Sequence, residues 1–404
     1  MKNIIFLFLT FLSIHVYAQR SCGTDEYMKQ KLQDPEFKAK YEARQALFKQ
    51  EFKKNAHSAN SKKVTIKIPV AIHFPNGNPS DRTCLEALSR RQMDVLNADF
   101  RSTNTDISKW SAARTHYPGI NAGSMDIQFE LATSNHPPGM GLTDGNPSVT
   151  VGYNFGNGSD TDANWAGYVN IVVKDIDGLG VAPLGGSPAN GDATEIDHKA
   201  FGTDSGCGAI APQAPYHLGR TVTHEIGHFL NLFHTWGDAG SCTEDDNVND
   251  TPNIDNPTYG CATPGSVVMC NNKSLTMNYM DYPDDTCAYM FTAGQAARSL
   301  AYLNTIISEF KSGVLSNNHF ESENSFAILS NPVENELRLR TANNILAKDA
   351  TLQIFDLRGA SVLKTALDGN LYEQNINVST LHGGLYIIRV TSGSHKLHRK
   401  IIIR

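Results

Sequence analysis

No stretch of the 404 residues constrains the fold more than His224–His234, which reads H-E-I-G-H-F-L-N-L-F-H. On a helix His224 and His228 project from one face, close enough to share a metal ion. Glu225 sits beside them, where it can hold and deprotonate a water on that metal. His234 adds a geometric condition. If the helix simply continued, His234 would lie about 9 Å further along the axis than His228 and about 240° round from it. It can join the other two only if the chain turns sharply in between. Asn231 stands where that turn must fall, and asparagine is the non-glycine residue best suited to a left-handed backbone at a helix end. Three imidazoles with a fourth position open describe a catalytic zinc site rather than a structural one. The bland alternative is surface or core histidines with no metal, which leaves the turn at Asn231 without a purpose.

The amino terminus carries Lys2, an apolar run Ile4–Leu12 and then Val16-Tyr17-Ala18. That pattern reads as a secretory signal peptide over 1–19, cut after Ala18 or Gln19. A membrane anchor fits less well, because Ser13 and His15 interrupt a run already short for a bilayer. No later stretch approaches 18 apolar residues, so no transmembrane segment is expected in the mature chain. A net charge of -6 with scattered lysines argues against a nucleic-acid surface. All seven cysteines lie beyond the signal peptide, where disulfides form readily, yet an odd count leaves one thiol over. Cys22 is the candidate.

Residues 20–60 are polar, with a few helix-like apolar spacings at Tyr27, Leu32, Phe37, Tyr41 and Phe48. Too thinly apolar to fold alone, this stretch reads as a pro-segment or a lid. Strands are expected over 64–74, 125–131 and 168–173, and a helix over 85–100 with Leu88, Met93, Val95, Leu96 and Phe100 facing the core. Residues 193–201 read as a polar edge strand beside a cleft, able to pair with extended peptide. The metal helix is expected over 218–230 and a last helix over 292–310, with Ala296, Leu300, Leu303 and Ile307 on one side. A linker over 316–326 precedes a change of character. Runs at 337–339, 350–355, 384–390 and 397–403 are strand-like and separated by Asn, Gly and Asp, which predicts a small β-sandwich over 327–404.

A second segment bears on the metal. L-T-M-N-Y-M-D-Y, residues 275–282, places Met280 in a tight turn and Tyr282 two residues later. A thioether can form a soft floor beneath the histidines without ligating, and the phenol can turn toward an oxyanion developing during attack. Each alone would more often be a core residue.

The combination of H-E-I-G-H-F-L-N-L-F-H with N-Y-M-D-Y at 278–282 resembles the metzincin metallopeptidases, and within them the pappalysin family. The resemblance runs over about residues 20–315. The metzincin pattern has glycine where this chain has Asn231, a departure asparagine accommodates at a cost of about 1 kcal/mol. It implies an α+β catalytic domain over 61–315 with a twisted mixed sheet and a loop-rich lower half. It implies a secreted, zinc-dependent endopeptidase in which Glu225 assists attack by water. Two disulfides brace the loop in that family, and the spacing fits Cys242 with Cys270 and Cys261 with Cys287; adjacent pairing is the competing option. Cys84 and Cys207 would make a third bond if their segments lie together.

Cys22, in R-S-C-G-T, then resembles the cysteine switch of latent metallopeptidases, a soft thiolate occupying the open zinc position until the segment is cut between Arg44 and Lys63. A free thiol or an intermolecular bridge are the alternatives. Asp245, Asp246, Asn249, Asp250 and Thr251 crowd oxygens into one loop, as a structural calcium site requires, against the plainer reading of an exposed acidic turn. The family implies calcium there, with Asp250 and Thr251 as members. It also implies Arg or Lys after the scissile bond, with Asp284 or Asp285 supplying the negative charge. The last module, with N-P-V-E-N at 331–335, I-F-D-L-R-G at 354–359, G-G-L-Y-I at 383–387 and K-I-I-I-R at 400–404, resembles the type IX secretion sorting domain of Bacteroidetes. That implies export through the outer membrane and the secretion machinery as a partner; a carbohydrate-binding sandwich is the rival. Rival functions for the whole chain are a zinc hydrolase of non-peptide substrates and an inactive extracellular binding protein.

Overall fold

A computed structural model describes residues 21–55, 65–237, 240–315, 326–328, 331–341, 350–368, 373–392 and 395–404. The expected signal peptide, residues 56–60 of the expected pro-segment and residues 316–325 of the expected linker lie outside these. The chain divides into two compact units between Leu315 and Ser316.

The sheet of the first unit grows from β1, Ile66–Phe74, which is buried from Ile68 onward. Val70, Ile72 and Phe74 belong to the main core, while Ala71 packs with Trp165 and Tyr168 in a second cluster. Both faces are covered, which is why the strand reads as a nearly continuous apolar run. β2 (Ile127–Leu131), β3 (Val149–Val151) and β4 (Val169–Lys174) all pair with β1 in parallel, and β6 (Ala193–Asp197) runs parallel beside β4. β5 (Gly180–Val181) closes the order β2-β1-β4-β6-β5 and runs antiparallel to β6. The sheet is therefore mixed. The edge, however, is not the 193–201 segment. The glycine-rich connection before β6 folds back to lay β5 outside it, and residues 198–201 leave the strand in a turn.

Helix α1 (Thr24–Lys31) and helix α2 (Pro35–Asn55) form the N-terminal segment, which leans on the rest of the unit through few apolar side chains. Met28 and Phe48 are buried, and the Phe48 ring lies 6.0 Å from that of Tyr302. Helix α3 (Arg82–Phe100) buries Leu85, Leu88, Met93, Leu96 and Phe100, while Val95 is only half-buried. The short α4 (Trp110–Ala113) precedes the metal helix α5 (Arg220–Phe229), every residue of which is buried. Helix α6 (Ala293–Ile306) starts in a capping box, Thr292 and Gln295 each satisfying the other's backbone N–H. Ala296 and Leu303 face inward as expected. Ile307 does not: the helix tightens there into a 3-10 turn over Ile307–Glu309, which swings it to 43% exposure.

Between α5 and α6 the described residues form only two-residue strands, β7 (Tyr259–Gly260), β8 (Val268–Met269), β9 (Asn272–Lys273) and β10 (Tyr282–Pro283). Disulfides staple this loop-rich half, joining Cys242 to Cys270 and Cys261 to Cys287, not neighbours in sequence. Cys84 is bonded to Cys207, and Cys22 stays outside all three bonds.

The second unit is a β-sandwich of two antiparallel sheets. One holds β11 (Phe326–Ile328), β12 (Glu336–Thr341) and β15 (Glu373–Asn377); the other holds β13 (Thr351–Phe355), β14 (Ser361–Ala366), β16 (Gly384–Ser392) and β17 (His395–Ile403). Alternating side chains fill the space between, Leu337 and Leu339 from one sheet and Leu352, Ile354, Ile388, Val390, Ile401 and Ile403 from the other. Phe326, assigned to the linker by sequence, already lies in a strand.

Candidate metal centre

The turn demanded by the histidine spacing is present. After α5, Asn231 takes φ +68°, its N–H donates to His228 O at 2.8 Å, and the Leu232 N–H donates to Gly227 O at 2.9 Å. This pair of bonds is a Schellman ending with asparagine at the left-handed position. It satisfies the last helical carbonyls and sends the chain back under His228. The other end of α5 is fixed by Asp285, whose carboxylate accepts the N–H groups of Leu218 and Arg220 at 2.8 and 3.3 Å.

His224, His228 and His234 converge. His228 Nε2 lies 3.2 Å from His224 Nε2 and 3.1 Å from His234 Nε2. His224 Nδ1 donates to the Tyr279 carbonyl at 2.6 Å and His228 Nδ1 to the Leu232 carbonyl at 2.8 Å. Carbonyls only accept, so both rings keep their proton on Nδ1 and turn an unprotonated Nε2 inward. Burial drives the pKa of His228 down to about 3, which holds that ring neutral. Two lone pairs 3.2 Å apart repel unless a cation lies between them. Tetrahedral zinc with nitrogens at about 2.0–2.1 Å needs an edge of about 3.3 Å, so the residues fit zinc. Cys22 Sγ completes the set: one ligand atom from each of Cys22, His224, His228 and His234 lies within 4.8 Å of every other.

Glu225, buried, points to the same space, with Cys22 Sγ 3.4 Å from its Oε2. It has room because position 180 is glycine: a Cβ there would sit 2.5 Å from Glu225 Oε1. Met280 is fully buried beneath the helix, and a Cβ at Gly227 would run into its sulfur. The turn around it is tied by the Met280 N–H donating to Asn278 Oδ1 at 2.8 Å. Tyr282 places its hydroxyl 3.3 Å from His234 Nε2 and accepts the Cys22 N–H at 3.2 Å.

The N-terminal segment fills the cleft. The Gly23 N–H donates to Gly180 O at 2.9 Å and the Leu179 N–H to Ser21 O at 3.0 Å, so residues 21–23 pair with the β5 edge. Sequence reading missed several residues of this assembly. Asp25 Oδ2 meets His234 Nδ1 at 3.1 Å, and the His234 ring stacks on Trp236 at 4.4 Å. Gln45 and Asn231 exchange amide hydrogen bonds at 3.0 and 3.2 Å. Nothing in local sequence marks an acid three residues past a cysteine or a glutamine inside a polar helix.

The remaining candidates fall elsewhere. Both Asp250 oxygens serve the start of α6, accepting from Thr292 Oγ1 at 2.6 Å and from the Gly294 N–H at 2.8 Å. Asp246 is buried and its carboxyl is pushed well above the usual range by that burial, with the side chains of Thr251 and Asp245 close against it. Asp245 and Asn249 are exposed. Asp284 is half-buried beside the Cys261–Cys287 bond, and Asp285 is fully buried at the α5 start. Among the described residues, no helix is long and apolar enough to cross a membrane.

The chain is similar to known proteins over both units. The family model described as pregnancy-associated plasma protein-A matches residues 165–304, and the secretion system C-terminal sorting domain matches residues 328–404. Among solved structures, a Tannerella forsythia promirolysin mutant is 34% identical with a TM-score of 0.55, covering 71% of this chain and 95% of that one. Mirolysin in complex with a compound is 32% identical with a TM-score of 0.51, covering 63% and 100%. An extracellular metalloprotease of Arthroderma otae is 40% identical over 112 residues, 27% of this chain and 41% of that protein. The chain thus spans less than half the length of that curated relative.

Proposed function

Because the chain belongs to the pappalysin family of zinc-dependent metallopeptidases, we propose that it is an endopeptidase made as a latent precursor and exported as its sorting domain directs. That domain marks a secreted or cell-surface protein of the Bacteroidetes type. One observation carries the reading: three inward Nε2 atoms within 3.2 Å of their neighbour, with Glu225 at their side. His224, His228 and His234 would hold zinc, which supplies Lewis acidity toward a carbonyl and brings the pKa of water toward neutrality.

The chain's own residues do the rest. The β5 edge offers backbone hydrogen bonds to an extended peptide, the pairing residues 21–23 now use. Glu225 takes one proton from the attacking water and gives it to the leaving nitrogen as the peptide C–N bond breaks. Tyr282 donates its hydroxyl to the carbonyl oxygen as it becomes an oxyanion. Met280 packs under the ligand helix and fixes its depth. An extended substrate on a strand edge supports peptide over other hydrolysable groups.

Latency rests on residues 20–60, with Cys22 in the open ligand position. The promirolysin relative, a pro-form by name, supports this. Helix α2 runs to Asn55, and a helix is a poor protease substrate, so within the 44–63 window cleavage beyond Asn55 is favoured. Calcium, if bound, would fall to the clustered oxygens of Asp245, Asp246 and Thr251, since Asp250 is engaged by α6. A preference for Arg or Lys after the scissile bond falls to Asp284, since Asp285 is committed to backbone N–H groups.

Casein hydrolysis by the activated chain, with and without a zinc chelator, tests the proposal. Glu225→Ala is expected to lose at least a thousandfold in kcat/KM while keeping its zinc. Unchanged hydrolysis in that variant, or in the chelated protein, would overturn it.

A further inference from the structure

Two of the three ligand rings are oriented by the catalytic domain itself, through the carbonyls of Tyr279 and Leu232. The third is not. His234 Nδ1 meets Asp25 Oδ2 at 3.1 Å, and Asp25 lies on α1, in the segment that maturation removes. The same segment grips the turn that delivers His234, because Gln45 of α2 exchanges two amide hydrogen bonds with Asn231. A glycine at 231 would make the turn but offer no side chain to hold.

A carboxylate behind a ligating imidazole fixes the ring, sets the tautomer and raises ligand basicity. We infer that the pro-segment belongs to the metal site of the precursor beyond its cysteine: Asp25 orients His234, Gln45 steadies the turn before it, and the precursor therefore holds zinc more tightly than the mature chain. This rests on the precursor reading above. Zinc is then loaded before maturation, and cleavage removes Asp25 together with Cys22. After cleavage the His234 ring keeps its stack on Trp236 but loses its carboxylate. Asp25 and Gln45 are positioning residues; neither touches the reacting atoms.

The test is zinc affinity of the full chain by competition with a chromogenic chelator. Glu225→Ala prevents self-cleavage and Cys22→Ser removes the contribution of the thiolate in every arm. Asp25 is 45% exposed on its side chain, so Asp25→Asn keeps shape without threatening the fold. The expected result is a loss of zinc affinity of about tenfold to a hundredfold in Asp25→Asn, with an unchanged melting temperature of the metal-free protein. Gln45→Ala is expected to lower affinity less. Equal affinities for the parent and Asp25→Asn overturn the inference, and so does a loss of affinity accompanied by a lower metal-free melting temperature, which marks a merely structural role. A parent chain that binds no zinc at all overturns the metallopeptidase reading with it, so the two failures are told apart.

Discussion

At the scale of single residues, much of the site depends on what is missing. Gly227 lies between the first two ligand histidines because the Met280 sulfur occupies the space a methyl would need. Gly227→Ala is therefore expected to destabilise the fold by about 1–3 kcal/mol, read by chemical unfolding; an unchanged midpoint would contradict the packing of Met280 against the helix. Asp281, next in the same turn, is fully buried, and burial raises its carboxyl from 3.8 to about 6 despite hydrogen bonds from Thr258. The folded chain keeps a proton there that the unfolded chain releases, so stability falls as pH rises from about 4 to about 6 and levels off above. Asp281→Asn should flatten that part of the slope in unfolding measured across pH; a slope as steep as the parent's would show the proton lies elsewhere.

At the scale of elements, the N-terminal segment is held mainly by polar contacts, among them Thr24 to Ala182, Tyr27 and Lys31 to Asp160, and Arg44 to Glu309. Helix α2 mixes charged and apolar residues, and Phe48, 3% exposed and packed on Tyr302, is the one of its described side chains that is fully buried. Truncating a buried phenylalanine costs about 3–5 kcal/mol. Because α2 lies at the margin of the unit, that loss falls on its docking. Phe48→Ala should speed proteolytic maturation of the precursor on the order of a hundredfold or more, followed by gel electrophoresis. A rate equal to that of the parent would mean that α2 does not restrain cleavage. The metal helix and its turn were legible because three histidines and one asparagine satisfy a geometric condition within residues 224–234. Helix α3 was legible by its apolar spacing. The sheet edge was not, since β5 has two residues and no pattern, and its place depends on tertiary folding of a glycine-rich loop. Strands β14 and β15 were missed for a related reason: β14 buries no side chain fully, and Ile376 is the one buried residue among the described side chains of β15. Contacts across the chain, Asp25 to His234 and Gln45 to Asn231, leave no trace in local sequence at all.

At the scale of the whole molecule, the chain joins a catalytic unit that carries its own cover to a sandwich with a separate core and the match to a secretion sorting domain. Such an order suits a peptidase exported with a sorting domain. The proposed function requires one zinc ion held by His224, His228 and His234, with Cys22 as fourth ligand in the precursor. Zinc-edge X-ray absorption on the precursor and on the matured chain measures this directly. The expected spectra fit three imidazole nitrogens at about 2.0–2.1 Å in both forms, with a sulfur at about 2.3 Å in the precursor alone. A mature chain whose zinc sees only two imidazoles, or a precursor whose zinc has no sulfur neighbour, would contradict it.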